Sequence, residues 1–369
     1  MRRGFFANVA VLMTALALLA TACSRGGDEG QNGGGGQATS LLDTVKERGT
    51  LKCGVNETVA GFGFLNPESG EIEGFDIEFC KAIAAAVLGD AGAHELVPVS
   101  AEERFSALAA GNYDVLVRNT TWTSSRDGAE GVAFAHVNFY DGQGMMVAAD
   151  SDAESITDLD GSSICVTTGT TTELNLADYA AANDITLEPV TFEENPQLQE
   201  AFLAGRCDGW TSDSSQLAGL RSQWPESEGG PEALKILDEI ISKEPLAPAV
   251  VDGDSRWLDA VNWVVIGLLA AEELGVDQGN VADMAANPPN PAVTNLLGAE
   301  VEDEETGTAA PFDSGLGLDP DFLVSAISAV GNYGEIFERT IGPDTPLGLE
   351  RGLNALWTDG GLQYPPPIR

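Results

Sequence analysis

Residues 114–127 read Asp-Val-Leu-Val-Arg-Asn-Thr-Thr-Trp-Thr-Ser-Ser-Arg-Asp, and this stretch is the most informative of the chain. Its apolar start, Val115 to Val117, is typical of a fully buried strand. Hydroxyl and amide side chains follow, and a hydroxyl-rich loop that ends in a guanidinium is suited to binding a small anion. Residues 82–205 contain no lysine and three arginines: Arg104, Arg118 and Arg126. The positive charge of this region is therefore concentrated around one loop.

The composition limits the possible partners. The chain has 369 residues, with 18 Lys and Arg against 58 Asp and Glu, for a formal net charge of -40. Its length allows two domains, and a hydrophobic fraction of 43% is that of a folded protein. Such an acidic chain lacks the basic surface that binding to nucleic acid requires. The same charge excludes attraction to an anionic membrane surface.

The N-terminus resembles an export signal. Arg2 and Arg3 precede an apolar run over residues 5–20, and small residues follow, which predicts a signal peptide over residues 1–22. Cys23 comes next, as in a bacterial lipoprotein box, where the cysteine is acylated and becomes the mature N-terminus. Cleavage by ordinary signal peptidase at the same small residues is the alternative.

The residues after the signal predict a tethered, extracytoplasmic protein. Residues 23–40 are rich in glycine and lack apolar periodicity, as expected of a flexible linker behind a lipid-anchored Cys23. No later apolar run reaches the length of a membrane span. We therefore expect membrane contact only through the lipid.

The cysteine count agrees with export. With Cys23 assigned to lipid, the remaining cysteines have neither CxxC nor metal-type spacing: Cys53, Cys80, Cys165 and Cys207. Of three possible connectivities, the economical one pairs near neighbours, Cys53 with Cys80 and Cys165 with Cys207. Four buried thiols are the alternative, which the oxidising compartment disfavours.

The apolar pattern predicts two α/β units. Strands near residues 50–55, 95–99 and 115–117 alternate with helices, one of them running from an N-cap at Asp76 to Gly89, which indicates an α/β fold with a parallel sheet. A second unit begins near Ser163, and a helix follows the hydroxyl run 167–172. Ligands of parallel α/β sheets bind beyond the carboxyl ends of the strands. Two lobes that face a cleft are therefore expected.

Two predictions concern the C-terminal third. The pattern favours a helix over residues 320–337. The acidic, Gly- and Pro-containing segment 288–319 has the character of a surface excursion.

From about Val45 to the C-terminus the chain resembles the extracytoplasmic solute-binding protein of a polar amino-acid ABC importer, of the general L-amino-acid (glutamate/glutamine/aspartate/asparagine) subfamily. The resemblance rests on several motifs in one order: Gly74-Phe75-Asp76, Arg118 to Thr123, Tyr140 to Gly144, Gly169 to Tyr179, Ile240 to Leu246, Gly331 to Arg339 and Arg351 to Trp357. The extra acidic segment 301–311 departs from the family pattern, outside the expected cleft.

The resemblance implies a type II periplasmic-binding-protein fold, with two lobes joined by two crossing strands near Gly142–Ala149 and Ser242–Val251. It places the first part of lobe 1 at residues 41–143 and lobe 2 at 144–243. Residues 244–369 then complete lobe 1 and include the excursion 288–319.

The resemblance also implies which residues hold the ligand backbone. Arg126 would fork onto the ligand α-carboxylate, because a planar guanidinium matches two carboxylate oxygens. Asn119 and Thr121 match positions that contact the α-amino or carboxylate group. Thr171 and Thr172 open a helix, whose free N–H groups bind anions, although a plain N-cap is the alternative.

Further residues would hold the ligand ammonium and side chain. Asp213 matches the carboxylate that binds the ammonium, with an N-cap role as the alternative. Arg104 lies in the first turn of a helix, where a positive charge is unfavourable, and faces the ligand side chain in glutamate-binding relatives. Asn56 and Asn195 align more loosely with side-chain contacts. Arg118, directly after a buried strand, either contacts ligand or pairs structurally with a carboxylate.

The predicted function is capture of Glu, Gln, Asp, Asn and possible further L-amino acids by lobe closure, and delivery to an ABC permease by a monomeric lipoprotein without cofactor or metal. An enzyme of the same fold, such as a dehydratase, is the first alternative. It is disfavoured because His94 and His136 neighbour no nucleophile and no second cleft carboxylate is expected. A ligand-sensing subunit is the second alternative, disfavoured because no signalling segment follows the binding unit.

Overall fold

The computed structural model describes residues 40–302 and 309–369. The predicted signal peptide, Cys23 and all but the last residue of the predicted linker lie outside the described residues, as does the centre of the acidic segment. None of the helices in the two described ranges combines the length and apolar composition needed to span a bilayer.

The α-helices are α1 Leu41–Arg48, α2 Phe75–Leu88, α3 Arg104–Ala109, α4 Ser124–Ala129, α5 Thr171–Ala182, α6 Asn195–Leu203, α7 Ser214–Ser222, α8 Ser255–Glu273, α9 Val281–Ala286, α10 Pro291–Leu296, α11 Phe322–Val330 and α12 Tyr333–Thr340. Short 3₁₀ turns lie at Ile156–Leu159, Glu226–Glu228, Pro231–Ala233, Gly352–Asn354 and Trp357–Asp359.

The strands are β1 Leu51–Val55, β2 Thr58–Val59, β3 Gly63–Leu65, β4 Ile72–Glu73, β5 His94–Pro98, β6 Val115–Leu116, β7 Val132–Phe134, β8 Phe139–Asp141, β9 Gln143–Ala148, β10 Ser162–Thr167, β11 Leu187–Phe192, β12 Gly209–Asp213, β13 Leu234–Ile236, β14 Glu244–Leu246, β15 Ala249–Val251, β16 Glu300–Glu302 and β17 Ala309–Pro311.

Two five-stranded sheets define two lobes of a type II periplasmic-binding fold. The first lobe contains the order β5-β1-β6-β15-β7 and the second contains β11-β10-β12-β9-β13. The strands β5, β1 and β6 are parallel, as are β11, β10 and β12. One further strand of each sheet runs against its neighbours: β15 pairs antiparallel with β6 and β7, and β9 pairs antiparallel with β12 and β13. The expected parallel arrangement thus holds for three strands of each sheet, while β9 and β15, each of which directly follows a crossing strand, run in the opposite direction.

The lobes are joined by the antiparallel pair β8 and β14, in which Glu244 lies opposite Asp141. The first crossing strand is therefore β8, at residues 139–141, and not the expected segment 142–149. Residues 143–148 belong to the second sheet instead, because their backbone pairs with β12 and β13.

Helices α2, α8, α11 and α12 form the main apolar core of the first lobe, around fully buried Trp257, Phe75 and Tyr333. The helical stretch expected over residues 320–337 consists of two helices, α11 and the start of α12. Gly331 has φ 75° and ends α11, and a capping box between Asn332 and Glu335 starts α12.

The segment 288–319 is not wholly a surface excursion. It contains α10, and Val293, Leu296 and Leu297 are buried in the same core. The overall acidic composition of the segment did not indicate the apolar residues of α10.

Two disulfides reinforce the lobes. Cys53 of β1 is bonded to Cys80 of α2 in the first lobe, with Cα atoms 6.3 Å apart. Cys165 of β10 is bonded to Cys207 in the second, with Cα atoms 5.5 Å apart. Each bond joins two elements of one lobe, so neither restricts movement between the lobes.

Candidate functional site

A polar cavity lies between the lobes, at the carboxyl ends of parallel strands from both sheets. Asn56 follows β1 and Asn119 follows β6, while Asp213 is the last residue of β12. The structure brings together all nine ligand residues named from the sequence: Asn56, Arg104, Asn119, Thr121, Arg126, Thr171, Thr172, Asn195 and Asp213.

Arg126 lies in α4, whose start is fixed by the side chain of Thr123 accepting a hydrogen bond from the Arg126 N–H. Its Nη1 donates to the carbonyl of Thr121 at 2.9 Å, and its side chain is buried. Burial lowers the pKa of Arg126, while the nearby carboxylates of Glu244 and Asp213 act in the opposite direction. Among the described residues, no carboxylate lies within salt-bridge distance of this guanidinium.

Arg104 is the first residue of α3 and is only 3% exposed. Its Nη2 donates to the carbonyl of Gly169, from the second lobe, over 3.3 Å, and its Nε has no partner within the described part of the chain. Burial lowers its pKa well below the usual value, and the positive charges of Arg126 and Arg118 add to this effect. A buried cation with this little compensation is unfavourable unless another group binds it.

Arg118 combines a structural and a cavity position. Its Nε donates to the carbonyl of Val99 at 2.8 Å, which ties the ends of β6 and β5 together across the end of β1. The side chain also lines the cavity. Burial lowers its pKa to about 10, opposed by the charges of Glu194 and Asp76.

Asn119 has a left-handed backbone with φ 31°. Its N–H donates to the carboxylate of Asp76 at 2.8 Å, which fixes the turn after β6. The predicted N-cap role of Asp76 is therefore wrong. The preceding Gly74 has φ 135°, a conformation that favours glycine, so the helix begins at Phe75 and leaves the Asp76 side chain to bind this turn. Burial raises the pKa of Asp76 to about 7.

The hydroxyl run of the second lobe ends at the start of α5. Thr170 is the N-cap, because its hydroxyl accepts the N–H of Glu173 at 3.1 Å. Thr171 and Thr172 are the first two helical residues, so their N–H groups have no partner within the helix. The N-cap alternative for these two threonines is thus wrong, and the helix start faces the cavity.

Asp213 lies at the N-cap position of α7, but its side chain makes no capping hydrogen bond. It is buried and lines the cavity. Burial raises its pKa well above the usual value, and the negative charges of Asp141 and Glu244 contribute. A cationic group of a ligand would therefore stabilise its ionised form.

The expectation of no second cleft carboxylate is wrong. Glu193 and Glu194 line the cavity at the end of β11, and Glu244 lies beside it. Sequence reasoning could not place Glu244 here, because the crossing strand β14 that carries it is far along the chain from the other cleft residues.

Hydrogen bonds of Asn119 and Asn195 join the two lobes, and Asn56 supports Asn119 from within the first lobe. Asn56 Nδ2 donates to Asn119 Oδ1 at 3.3 Å, and its Oδ1 accepts from Thr58. Asn195 of the second lobe donates to the Thr58 hydroxyl of the first at 3.1 Å. Gln216 of the second lobe accepts from Asn119 at 3.1 Å. With these bonds between the lobes, the structure is a closed form.

Sequence reasoning missed other cavity residues: Ala101, Thr167, Thr170, Glu193, Glu194, Ser212 and Gln216. A signal for Gln216 existed, because it lies three residues after Asp213 and so on the same helix face. Within residues 40–302 and 309–369, no cluster of His, Cys, Asp and Glu side chains has the arrangement of a metal site.

Comparison with known proteins agrees with this geometry. The general L-amino acid-binding periplasmic protein of Rhizobium johnstonii is 49% identical over 332 residues, which are 90% of this chain and 93% of that protein. The glutamate/glutamine/aspartate/asparagine-binding protein of Rhodobacter capsulatus is 48% identical over 91% of this chain and 95% of that protein. Both relatives are named as binding proteins rather than enzymes.

A solved structure is also similar. The ABC transporter periplasmic binding protein from Brucella ovis, with glutathione bound, has 46% identity and a TM-score of 0.83, over 90% of this chain and 100% of that chain. Residues 51–276 match the model of the bacterial extracellular solute-binding proteins, family 3. These similarities place the protein outside the cytoplasm. The chain belongs to the bacterial extracellular solute-binding proteins of family 3.

Proposed function

We propose that this protein captures polar L-amino acids outside the cytoplasm and delivers them to the permease of an ABC importer. The observation that best supports this proposal is the set of buried charges in the cavity. Three buried arginines and the buried Asp213 line the same cavity. An amino acid is a small zwitterion with charges of both signs at fixed separation. It would supply the partners that these buried charges otherwise lack.

The α-carboxylate is assigned to Arg126 and to the start of α5. The guanidinium has spare donors beyond its bond to Thr121, and the N–H groups of Thr171 and Thr172 add the positive end of a helix dipole. The α-ammonium is assigned to Asp213, because burial and the charges of Asp141 and Glu244 raise the pKa of its carboxyl, and a bound ammonium would favour the ionised form.

The ligand side chain is assigned to the pocket around Arg104. Its Nε has no partner in the described residues, and a carboxylate or an amide oxygen can accept from it. Glu, Asp, Gln and Asn should therefore bind, with Arg118, Asn56 and Asn195 available for further contacts. The name of the Rhodobacter capsulatus relative agrees with this group of ligands.

A peptide with a free amino-acid end is a second candidate ligand. The related Brucella ovis structure contains glutathione, whose γ-glutamyl residue keeps both its α-amino and α-carboxyl groups free. Ala101 and Glu193 also line the cavity, next to the arginines that would hold the amino-acid end of such a peptide.

The remaining parts of the proposal concern the context of the protein. We propose a monomer that is anchored by lipid at Cys23 and that closes on its ligand without catalysis. The names of the relatives support a binding rather than an enzymatic role. Because the cleft contains several carboxylates, the argument against an enzyme from a lack of acidic groups there no longer holds.

Calorimetric titration with the twenty L-amino acids and glutathione tests the proposed function. Glu, Gln, Asp or Asn should bind most tightly, and D-glutamate serves as the stereochemical control. If none of these ligands binds to protein freed of co-purified ligand by unfolding and refolding, the proposal is refuted. Tight binding of glutathione with weak binding of every amino acid would favour the second candidate.

A further inference from the structure

Glu244 is a buried carboxylate in the strand that joins the lobes, and the ligand assignment has not used it. It is 1% exposed and lies on β14, opposite Asp141 of β8. A buried carboxylate is unfavourable unless hydrogen bonds compensate its charge.

Four donors converge on this carboxylate. Oε2 accepts from the hydroxyl of Thr121 at 2.6 Å and from the hydroxyl of Thr171 at 2.7 Å. Oε1 accepts from Asn175 Nδ2 at 2.8 Å and from the hydroxyl of Ser242. Thr121 belongs to the first lobe and Thr171 to the second, so a single side chain on the hinge holds one residue of each.

These bonds determine what the two threonines can offer to a ligand. A hydroxyl has one proton to donate, and in both threonines that proton is directed at Glu244. The two hydroxyl oxygens lie 3.4 Å apart, and neither has a proton left for the other. Both residues line the cavity, where their hydroxyl oxygens can only accept.

We infer that Glu244 is a positioning residue that fixes the Thr121 and Thr171 hydroxyls as acceptors, so that the cleft selects ligands with an α-ammonium group over the corresponding keto acids. This inference rests on the proposed function. An ammonium carries three donors, and the two hydroxyl oxygens with the Asp213 carboxylate form a matching set of acceptors. A keto oxygen at the same place meets acceptors alone.

The arrangement also separates the two ends of the ligand backbone. The backbone N–H groups of α5 and the guanidinium of Arg126 donate, while the hydroxyls oriented by Glu244 accept. Without Glu244, either hydroxyl could turn and donate into the cleft. The distinction between the carboxylate end and the ammonium end would then weaken.

The test compares L-glutamate with 2-oxoglutarate, which differs only in carrying a keto group in place of the ammonium. The ratio of the two dissociation constants is measured by competition calorimetry for the wild type, Glu244→Met and Glu244→Gln. We expect Glu244→Met to reduce the preference for L-glutamate by about tenfold or more, because the hydroxyls lose their fixed direction. Where the keto acid binds the wild type too weakly to measure, a lower limit on the ratio suffices.

The conservative variant distinguishes positioning from structure. An amide oxygen can still accept from both threonines, because Ser242 can turn to accept from the amide group and the Asn175 amide can flip. Glu244→Gln should therefore keep most of the selectivity that Glu244→Met loses. A purely structural role would weaken both ligands alike and leave the ratio unchanged.

The matched control is Glu239→Met, on the same segment. The Glu239 carboxylate accepts from the Tyr179 hydroxyl and the Ile156 N–H, and it does not line the cavity. Its ratio should equal that of the wild type. If Glu244→Met does not fold, Thr121→Val and Thr121→Ser replace it, and only the valine variant should lose selectivity.

The outcomes separate the two claims. Wild-type protein that binds no amino acid would refute the proposed function and the inference with it. Wild-type protein that binds L-glutamate, together with an unchanged ratio in Glu244→Met or in Thr121→Val, would overturn the inference alone.

Discussion

Replacing Arg104 by alanine offers a direct test of ligand selection, because the structure gives this residue little internal compensation. Its guanidinium is 3% exposed, its Nη2 makes one long bond to Gly169, and its Nε has no partner in the described residues. The variant removes a positive charge from the cleft while the assigned α-carboxylate and α-ammonium contacts remain.

The expected magnitude follows from the bonds that a ligand carboxylate would gain. A hydrogen bond to a charged group contributes about 1.5–3 kcal/mol. Arg104→Ala should therefore weaken Glu and Asp by at least ~1.5 kcal/mol more than Gln, Ala or Leu, which is about tenfold or more in dissociation constant. Gln loses a hydrogen bond from the guanidinium but no ion pair, and Ala and Leu lose only packing.

The ligand-free protein should respond differently. Burial lowers the pKa of Arg104, so the folded state carries an unfavourable desolvated charge. The free energy of unfolding should therefore fall by no more than about 1 kcal/mol, since the lost packing is offset by the removal of that charge. A loss of affinity without a loss of stability identifies a ligand contact.

Calorimetry with Glu, Asp, Gln, Ala and Leu measures the affinities, and urea unfolding measures the stability. Arg206→Ala is the matched control, because Arg206 is exposed and does not line the cavity, yet the variant changes the net charge equally. Equal losses for all five ligands would show that Arg104 is structural and that selectivity lies elsewhere.

Four further predictions concern other parts of the protein. Arg126→Ala should weaken every amino-acid ligand by about 10²–10⁴-fold, because two charge-assisted bonds are lost; undiminished binding in calorimetry would exclude its role. Ligand should shift the lobes toward the closed form, so small-angle scattering should give a smaller radius of gyration with L-glutamate than without it; an unchanged profile would contradict closure. The pKa of Asp76 is about 7 in the folded protein against 3.8 ordinarily, so folding takes up a proton and stability falls as the pH rises from about 4 to about 7. Asp76→Asn should flatten this dependence in urea unfolding, and an unchanged slope would assign it to other groups. Cys23→Ser should release the mature protein from the membrane fraction, and an unmodified soluble wild-type chain would argue against the lipid anchor.

The sequence was informative where local patterns control the structure. The buried run at Val115 predicted β6, and the hydroxyl run before Glu173 predicted the start of α5 within two residues. Such signals are reliable because hydrophobic periodicity and helix capping depend on residues close in the chain. The prediction that Asp76 is an N-cap was wrong because the position of its side chain depends on a residue distant in the chain. Its carboxylate binds Asn119, 43 residues away.

The sequence by itself determined the family, the α/β class and which polar side chains end the parallel strands. Only the tertiary structure decided which carboxylates share the cleft. Glu244 follows Thr121 by 123 residues and Thr171 by 73, yet its carboxylate accepts from both hydroxyls. No sequence pattern predicts that Glu244 contacts both threonines, because this contact depends on how the two lobes close over the crossing strands. The direction of each hydroxyl proton is a property of this three-dimensional network and of no single segment of the chain.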